Sequence, residues 1–166
     1  AIAALDDHDG LVAALRGHDV LASAYGPVAG DDDAKVSQVT QTLIAAARTA
    51  GIRRLVVVGG AGSLEVAPGV QLVDTEGFPP AYKSVASAHR DALKLYQAID
   101  DLDWTFYAPA ALIGSGEKQG NFRTQATTLL VDAHGKSAIS YADYADAFVS
   151  EIEQPRFVRQ IATVAY

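Results

Sequence analysis

The sequence has no cysteine, no methionine and a single tryptophan. Without cysteine there is no disulfide framework, no thiolate nucleophile and no sulfur-based metal site. Long hydrophobic runs are missing as well: stretches such as Leu55–Val58 fall far short of the roughly 20 apolar residues that a membrane-spanning helix needs. Positive charge is scarce, with 13 Lys and Arg against 20 Asp and Glu and a formal net charge of −7. Nucleic-acid binders normally carry a basic surface, so direct nucleic-acid binding and attachment to an anionic membrane are both disfavoured. No charged n-region, apolar h-region and cleavage site opens the chain, and the expected location is cytoplasmic. A small-molecule partner is what remains, with a homodimer as the allowed assembly.

The chain has 166 residues, 49% of them apolar and 20% charged, which suits one globular domain over residues 1–166. It opens on "AIAALDDHDGLVAAL", which reads as the end of one element running into a helix. Together with the missing methionine, this opening leads to the expectation that an N-terminal portion precedes Ala1.

Periodicity alternates between strand and helix. "HDGLVAALRG" is a helix with acidic residues at its start and Gly17 past its end, and Asp19–Ala24 is an apolar strand closed by Gly26-Pro27. Asp31–Asp33 begin a second helix whose stripe is Val36, Val39, Leu43, Ala46 and Ala47. "RRLVVVGG" is a β-branched run, as expected of a strand buried on both faces. A long loop rich in proline and glycine follows, then a helix over about Tyr82–Ile99 and the strand "LDWTFYAP". Gly114–Gly120 reads as loop, and short strands flank a turn at His134-Gly135. "YADYADAFVSEIEQ" and "FVRQIATVAY" close the chain as a helix and a strand. The pattern predicts an α/β fold, a Rossmann-like parallel sheet with helices on both faces.

In such sheets ligands lie beyond the carboxyl ends of the strands. Three predicted strand ends carry small or helix-breaking residues: "AYGP" at 24–27, "GGAGS" at 59–63 and "APAAL" at 108–112. These could admit a flat cofactor to the backbone, or they could simply be turns that need glycine and proline. Neither "GGAGSL" nor Gly114-Ser-Gly116-Glu-Lys-Gln-Gly120 has the dinucleotide spacing G-x-G-x-x-G followed by a long helix, so no fingerprint is present in this chain.

Catalytic patterns are equally selective. None of the seven tyrosines has lysine at i+4. Tyr82 and Lys83 are adjacent and diverge by about 100° on a helix, so they cannot form the proton-relay pair of carbonyl reductases. His89 is the best remaining proton donor, on the helix bordering the third strand end, with Tyr82 at the start of that helix as the second catalytic candidate. A helix-face histidine that only packs or is solvated is the plain alternative. His8, His18 and His134 look structural or exposed, no His/Asp/Glu set has metal-ligand spacing, and no metal is expected. Ser63 and Ser115 do not match G-x-S-x-G. Asp143 is read as a helix-capping residue, with a docking role as the alternative.

The segments "ALRGHDVLASAYGP", "RRLVVVGGAGSLEVAPG", "FPPAYKSVASAHRDALKLYQ", "LDWTFYAPAALIGSGEKQGNFR" and "LLVDAHGKSAISYADYADAFVSEIEQP" occur in this order. Together they resemble the atypical short-chain dehydrogenase/reductase group of NAD(P)H-binding, NADH-flavin reductase-like proteins. Biliverdin/flavin reductases and NmrA-like sensors are relatives of that group. The resemblance implies NADP or NAD lying across the strand ends, with FMN or FAD as an acceptor. Ala24, Tyr25, Gly26 and Pro27 would line the adenosine and pyrophosphate side. Gly59, Gly60 and Ala61 would lie near the nicotinamide, with Pro109, Ala110 and Leu112 closing over it. His89 is similar in placement to an active-site histidine of the flavin-reductase relatives. Family members open with a strand–glycine turn–helix–strand segment that this chain does not contain, and its N-terminal strands and glycine fingerprint are therefore expected to lie before Ala1. The function so implied is hydride transfer from NAD(P)H to a flavin or similar planar acceptor. A non-catalytic NAD(P)-sensing regulator and a nucleotide-sugar-type epimerase are the alternatives.

Overall fold

A computed structural model describes residues 2–27 and 34–166. The first helix, α1 (His8–Leu15), starts where the Asp7 carboxylate accepts the Gly10 N–H at 2.9 Å. This satisfies one of the amides a helix start leaves without a partner. The strand β1 (Val20–Ser23) and the helix α2 (Ala34–Ala50) follow. Gly51, at φ +80°, ends α2 in the left-handed region where a side chain would be strained. The helix start expected at Asp31–Asp33 lies outside the described residues.

Next come β2 (Arg54–Val58), the helix α3 (Pro80–Gln97) and β5 (Asp103–Ala108). Between β2 and α3, the stretch read as one long loop contains two 3₁₀ turns, Ala61–Ser63 and Leu72–Asp74. It also holds a hairpin of β3 (Glu65–Ala67) and β4 (Val70–Gln71). Beyond β5 lie β6 (Leu112–Gly114), β7 (Arg123–Ala126), β8 (Ala138–Ser140), the helix α4 (Tyr141–Glu153) and β9 (Gln160–Ala165).

The main sheet has the order β1-β2-β5-β9-β7. The first four strands are parallel, with Leu55 opposite Trp104 and Phe106 opposite Ile161. β7 runs antiparallel along β9, so the sheet is mixed rather than wholly parallel. The two short strands around the His134-Gly135 turn do not pair with each other, because β8 joins β6 in a small parallel sheet of its own. The turn itself is built as expected, with the Asp132 carboxylate accepting the His134 and Lys136 amides. Leu112–Gly114 pairs with Ala138–Ser140, so the loop expected to begin at Gly114 begins one residue later.

Alternation along the strands assigns the two faces. Leu55, Val57, Trp104 and Phe106 meet Leu43, Ile44, Leu93 and Tyr96 from α2 and α3. Tyr107, Ala162 and Val164 meet Tyr144 and Ala147 of α4 on the opposite side. Each fully buried side chain of this size stabilises the fold by roughly 1.5–3 kcal/mol.

At the amino ends of the strands, Arg54 is buried and donates to Glu151 Oε1 at 2.7 Å, Thr105 Oγ1 at 2.8 Å and the Asp103 carbonyl at 3.0 Å. The Glu151 carboxylate also accepts the Arg156 and Phe157 amides. Desolvation lowers the Arg54 pKa, opposed by the Glu151 charge. This ion pair fastens the last turn of α4 to the floor of the sheet.

Candidate functional site

β1, β2 and β5 are parallel neighbours, so their carboxyl ends lie side by side. Ala24–Pro27, Gly59–Gly60 and Pro109 therefore share one rim of the sheet. After β1 the chain bends where the Tyr25 amide donates to Ser23 Oγ at 3.3 Å. Ala24 and Gly26 are exposed, Tyr25 and Pro27 half-buried, and a Cβ on Gly26 would meet nothing within 4 Å.

At β2 the two glycines have internal partners. The Gly59 amide donates to the Tyr107 carbonyl at 2.8 Å, continuing the ladder with β5. A Cβ on Gly59 would intrude on the ring of Phe106, itself only 1% exposed. A Cβ on Gly60 would lie 3.0 Å from His89 Cβ, and one on Gly62 would lie 2.8 Å from Ala86 Cβ. Small residues here let α3 close down on the turn after β2.

That closure places His89. It is half-buried on α3, against the backbone of Gly60, and its ring meets Phe106 edge-on at 6.5 Å between centroids. Below it a narrow crevice between the strand ends and α2/α3 is lined by Ser23, Tyr25, Thr40, Tyr96 and Phe106. Burial pushes the Tyr96 phenol up to about 12 against the opposing effect of its hydrogen bond to Thr40, so it stays protonated at neutral pH. Among the described residues, no Asp, Glu, Lys or Arg lines this crevice.

The other predicted residues separate. Tyr82 is on the first turn of α3, 63% exposed. It stands seven residues before His89, about 10 Å along the axis, so the two do not meet. Ala61 is half-buried against the α2/α3 core. Ala110 is 1% exposed and packs on the α4 side with Tyr107 and Ile139, whereas Leu112 is 59% exposed. Pro109 is half-buried at the rim. Among the described residues, no group of three or more His, Cys, Asp or Glu is placed to hold a metal ion.

A second polar cluster stands farther along the chain. Ser140 caps α4 by accepting the Asp143 amide and donates its own hydroxyl back to Asp143 Oδ2 at 2.9 Å. The buried Asp143 carboxylate also takes the Gln119 and Gly120 amides, both at 2.8 Å, and the Tyr166 hydroxyl at 2.6 Å. The Tyr166 hydrogen bond leads the effects that hold the Asp143 carboxyl well below the usual carboxylate range. Asp143 is thus both part of a cap and the dock of the 115–120 loop. The cap expected at Asp143 is centred on Ser140, three residues earlier, with Asp143 completing it. Nothing in the sequence signalled that Gln119, Gly120 and Tyr166 would converge on it.

The model of the NAD(P)H-binding family matches residues 2–155. A crystal structure of a Burkholderia pseudomallei protein, provisionally described as exported, is 60% identical with a TM-score of 0.94, covering 99% of this chain and 79% of that one. A candidate epimerase from Bacteroides thetaiotaomicron is 32% identical with a TM-score of 0.89, covering 99% of this chain and 74% of that one. A candidate NADH-flavin reductase from Streptococcus pneumoniae TIGR4 is 32% identical with a TM-score of 0.89, covering 98% and 78%. Among the described residues, no helix is long and apolar enough to cross a membrane. The mixed sheet, the rim of small residues and the match over nearly the whole length agree: the chain belongs to the NAD(P)H-binding family, with the Rossmann-like fold of the atypical short-chain dehydrogenases.

Proposed function

We propose that this chain transfers hydride from NAD(P)H to a flavin or similar planar small-molecule acceptor. The observation that carries this reading is the position of His89, held against Gly60 over the end of β2 where three small-residue strand ends meet. A flat ligand fits that rim, because Ala24 and Gly26 are exposed and a Cβ on Gly26 would meet open space. When bound, the reduced nicotinamide supplies the hydride, so the protein is asked mainly to orient and to exclude water. In this reading Ala24–Pro27 hold the adenosine and pyrophosphate side. Gly59, Gly60 and Ala61 border the nicotinamide side. Pro109 and Leu112 cover it, with Ala110 supporting them from the core. His89 hands the acceptor the proton that balances the hydride, and Tyr82 stands at the outer edge.

The candidate NADH-flavin reductase among the relatives supports this reading. The candidate epimerase supports a second one, in which the same rim binds a nucleotide-sugar. Against it stands the absence of a Tyr/Lys proton relay, since Tyr82 is exposed and its neighbour Lys83 faces another direction. NAD(P)H oxidation at 340 nm with FMN or FAD is the test. Turnover with flavin supports the first reading. Flat nucleotide titrations together with no turnover would overturn it, and tight nucleotide binding without turnover on any acceptor would make the protein a sensor.

A further inference from the structure

A cavity of about 350 Å³ opens beside the second polar cluster, lined by Ser115, Glu117, Gln119, Ser140 and Tyr166 together with the backbone of Gly114. It follows directly from the proposed nicotinamide rim. Ala110 and Gly114 are four residues apart, roughly 13 Å of extended chain. The side chains of Ser115, Glu117 and Gln119 are exposed and make no hydrogen bond or ion pair with the described residues.

The chemistry of the walls excludes an anion. The Gln119 and Gly120 amides, the natural cradle for a phosphate in such a loop, are both taken by Asp143. Among the described residues no lysine or arginine lines the cavity, and the Lys118 ammonium pairs with Asp146 at 2.5 Å. The Tyr166 hydroxyl is spent between Asp143 and the Ser140 amide. What remains is the acceptor-only Glu117 carboxylate, beside the Gln119 amide and the Ser115 hydroxyl, which both donate and accept. Such a wall takes hydroxyl donors and repels phosphate.

We infer that this cavity binds the neutral, polyhydroxyl part of the acceptor, and that Glu117 makes the protein select non-phosphorylated acceptors over phosphorylated ones. The inference rests on the hydride-transfer reading and names the acceptor class for it. Glu117 is a specificity residue here and lies outside the hydride-transfer machinery.

The experiment compares riboflavin, FMN and lumiflavin, which lacks the hydroxylated chain, as acceptors with saturating NADPH, in wild type and Glu117→Gln. Flavin-fluorescence titrations of the same proteins report binding apart from turnover. Wild type is expected to favour riboflavin over both others, chiefly through KM and Kd. Glu117→Gln should shift the riboflavin-to-FMN ratio by up to about fivefold toward FMN, the upper range for an exposed charge pair. Flavin turnover with no preference for riboflavin, or with a ratio that Glu117→Gln leaves unchanged, overturns the cavity assignment and leaves hydride transfer standing. Absence of turnover and of binding for all three flavins overturns both.

Discussion

A methyl group at residue 59 would have to enter the space of the Phe106 ring, which is buried and cannot swing away. Gly59→Ala should therefore destabilise the fold by about 2 kcal/mol, the range for overpacking a filled core, read as a lower urea midpoint with an unchanged slope. At residue 60 the neighbour is His89, and the added carbon would sit 3.0 Å from its Cβ. Gly60→Ala is expected to push α3 outward at His89 by a few tenths of an ångström and to carry the imidazole with it, because the Cβ it meets is fixed by the helix backbone. His89→Ala should lower NAD(P)H oxidation by about 10² or more if the imidazole delivers a proton, with a melting temperature close to wild type. A rate within about threefold of wild type would return His89 to a packing role. The sequence shows two identical glycines at the end of a strand. Their separate obligations come from Phe106 and His89, 47 and 29 positions downstream of Gly59 and Gly60, and short-range pattern does not reach so far.

Among the elements, α4 is anchored at both ends by carboxylates, Asp143 at its start and Glu151 in its last turn. Asp143 carries a pH signature. Its folded-state pKa lies below the ordinary carboxylate value, so its stabilisation is complete at neutral pH. That stabilisation is lost as pH falls from about 4, where the unfolded carboxyl takes up its proton, through the depressed folded value. Wild type should thus exceed Asp143→Asn in urea stability at pH 7, with the gap beginning to narrow as pH is lowered from 4 to 3; a gap independent of pH over that range would refute the role. The long elements were legible, because α2, α3, β2 and β5 have apolar spacings that only one conformation can bury. The short strands flanking the His134-Gly135 turn were expected as strands, but their partners were not legible. β6 and β8 are three residues each and owe their pairing to the path of the chain around them. β7 is polar in sequence and becomes a strand only because β9 offers it an edge. The candidate site was legible as a row of strand ends, yet Ala110 turned into the core, and the Asp143 dock needed the fold to assemble it.

For the molecule as a whole, the two ends of the sheet divide the work. The amino-terminal floor is closed by the Arg54–Glu151 pair, with side chains 10% and 2% exposed. Removing one partner leaves a buried charge, and Glu151→Gln or Arg54→Met should each cost about 3–5 kcal/mol in chemical unfolding. The double change Arg54→Met with Glu151→Leu should recover much of that loss, which distinguishes an isolated buried charge from lost packing. Among the described residues the carboxyl-terminal rim has no such buried ion pair. Between floor and rim runs a line of rings. Trp104 lies 6.0 Å from Tyr96, Tyr96 lies 6.3 Å from Phe106, and Phe106 lies 6.5 Å from His89. Trp104 is the single tryptophan, so all indole emission originates three rings from the rim. That emission overlaps the absorption of a reduced nicotinamide and not of an oxidised one. The protein thus carries a built-in optical gauge: energy passed from Trp104 should dim its fluorescence when NAD(P)H occupies the rim, and the light should return as the cofactor is oxidised.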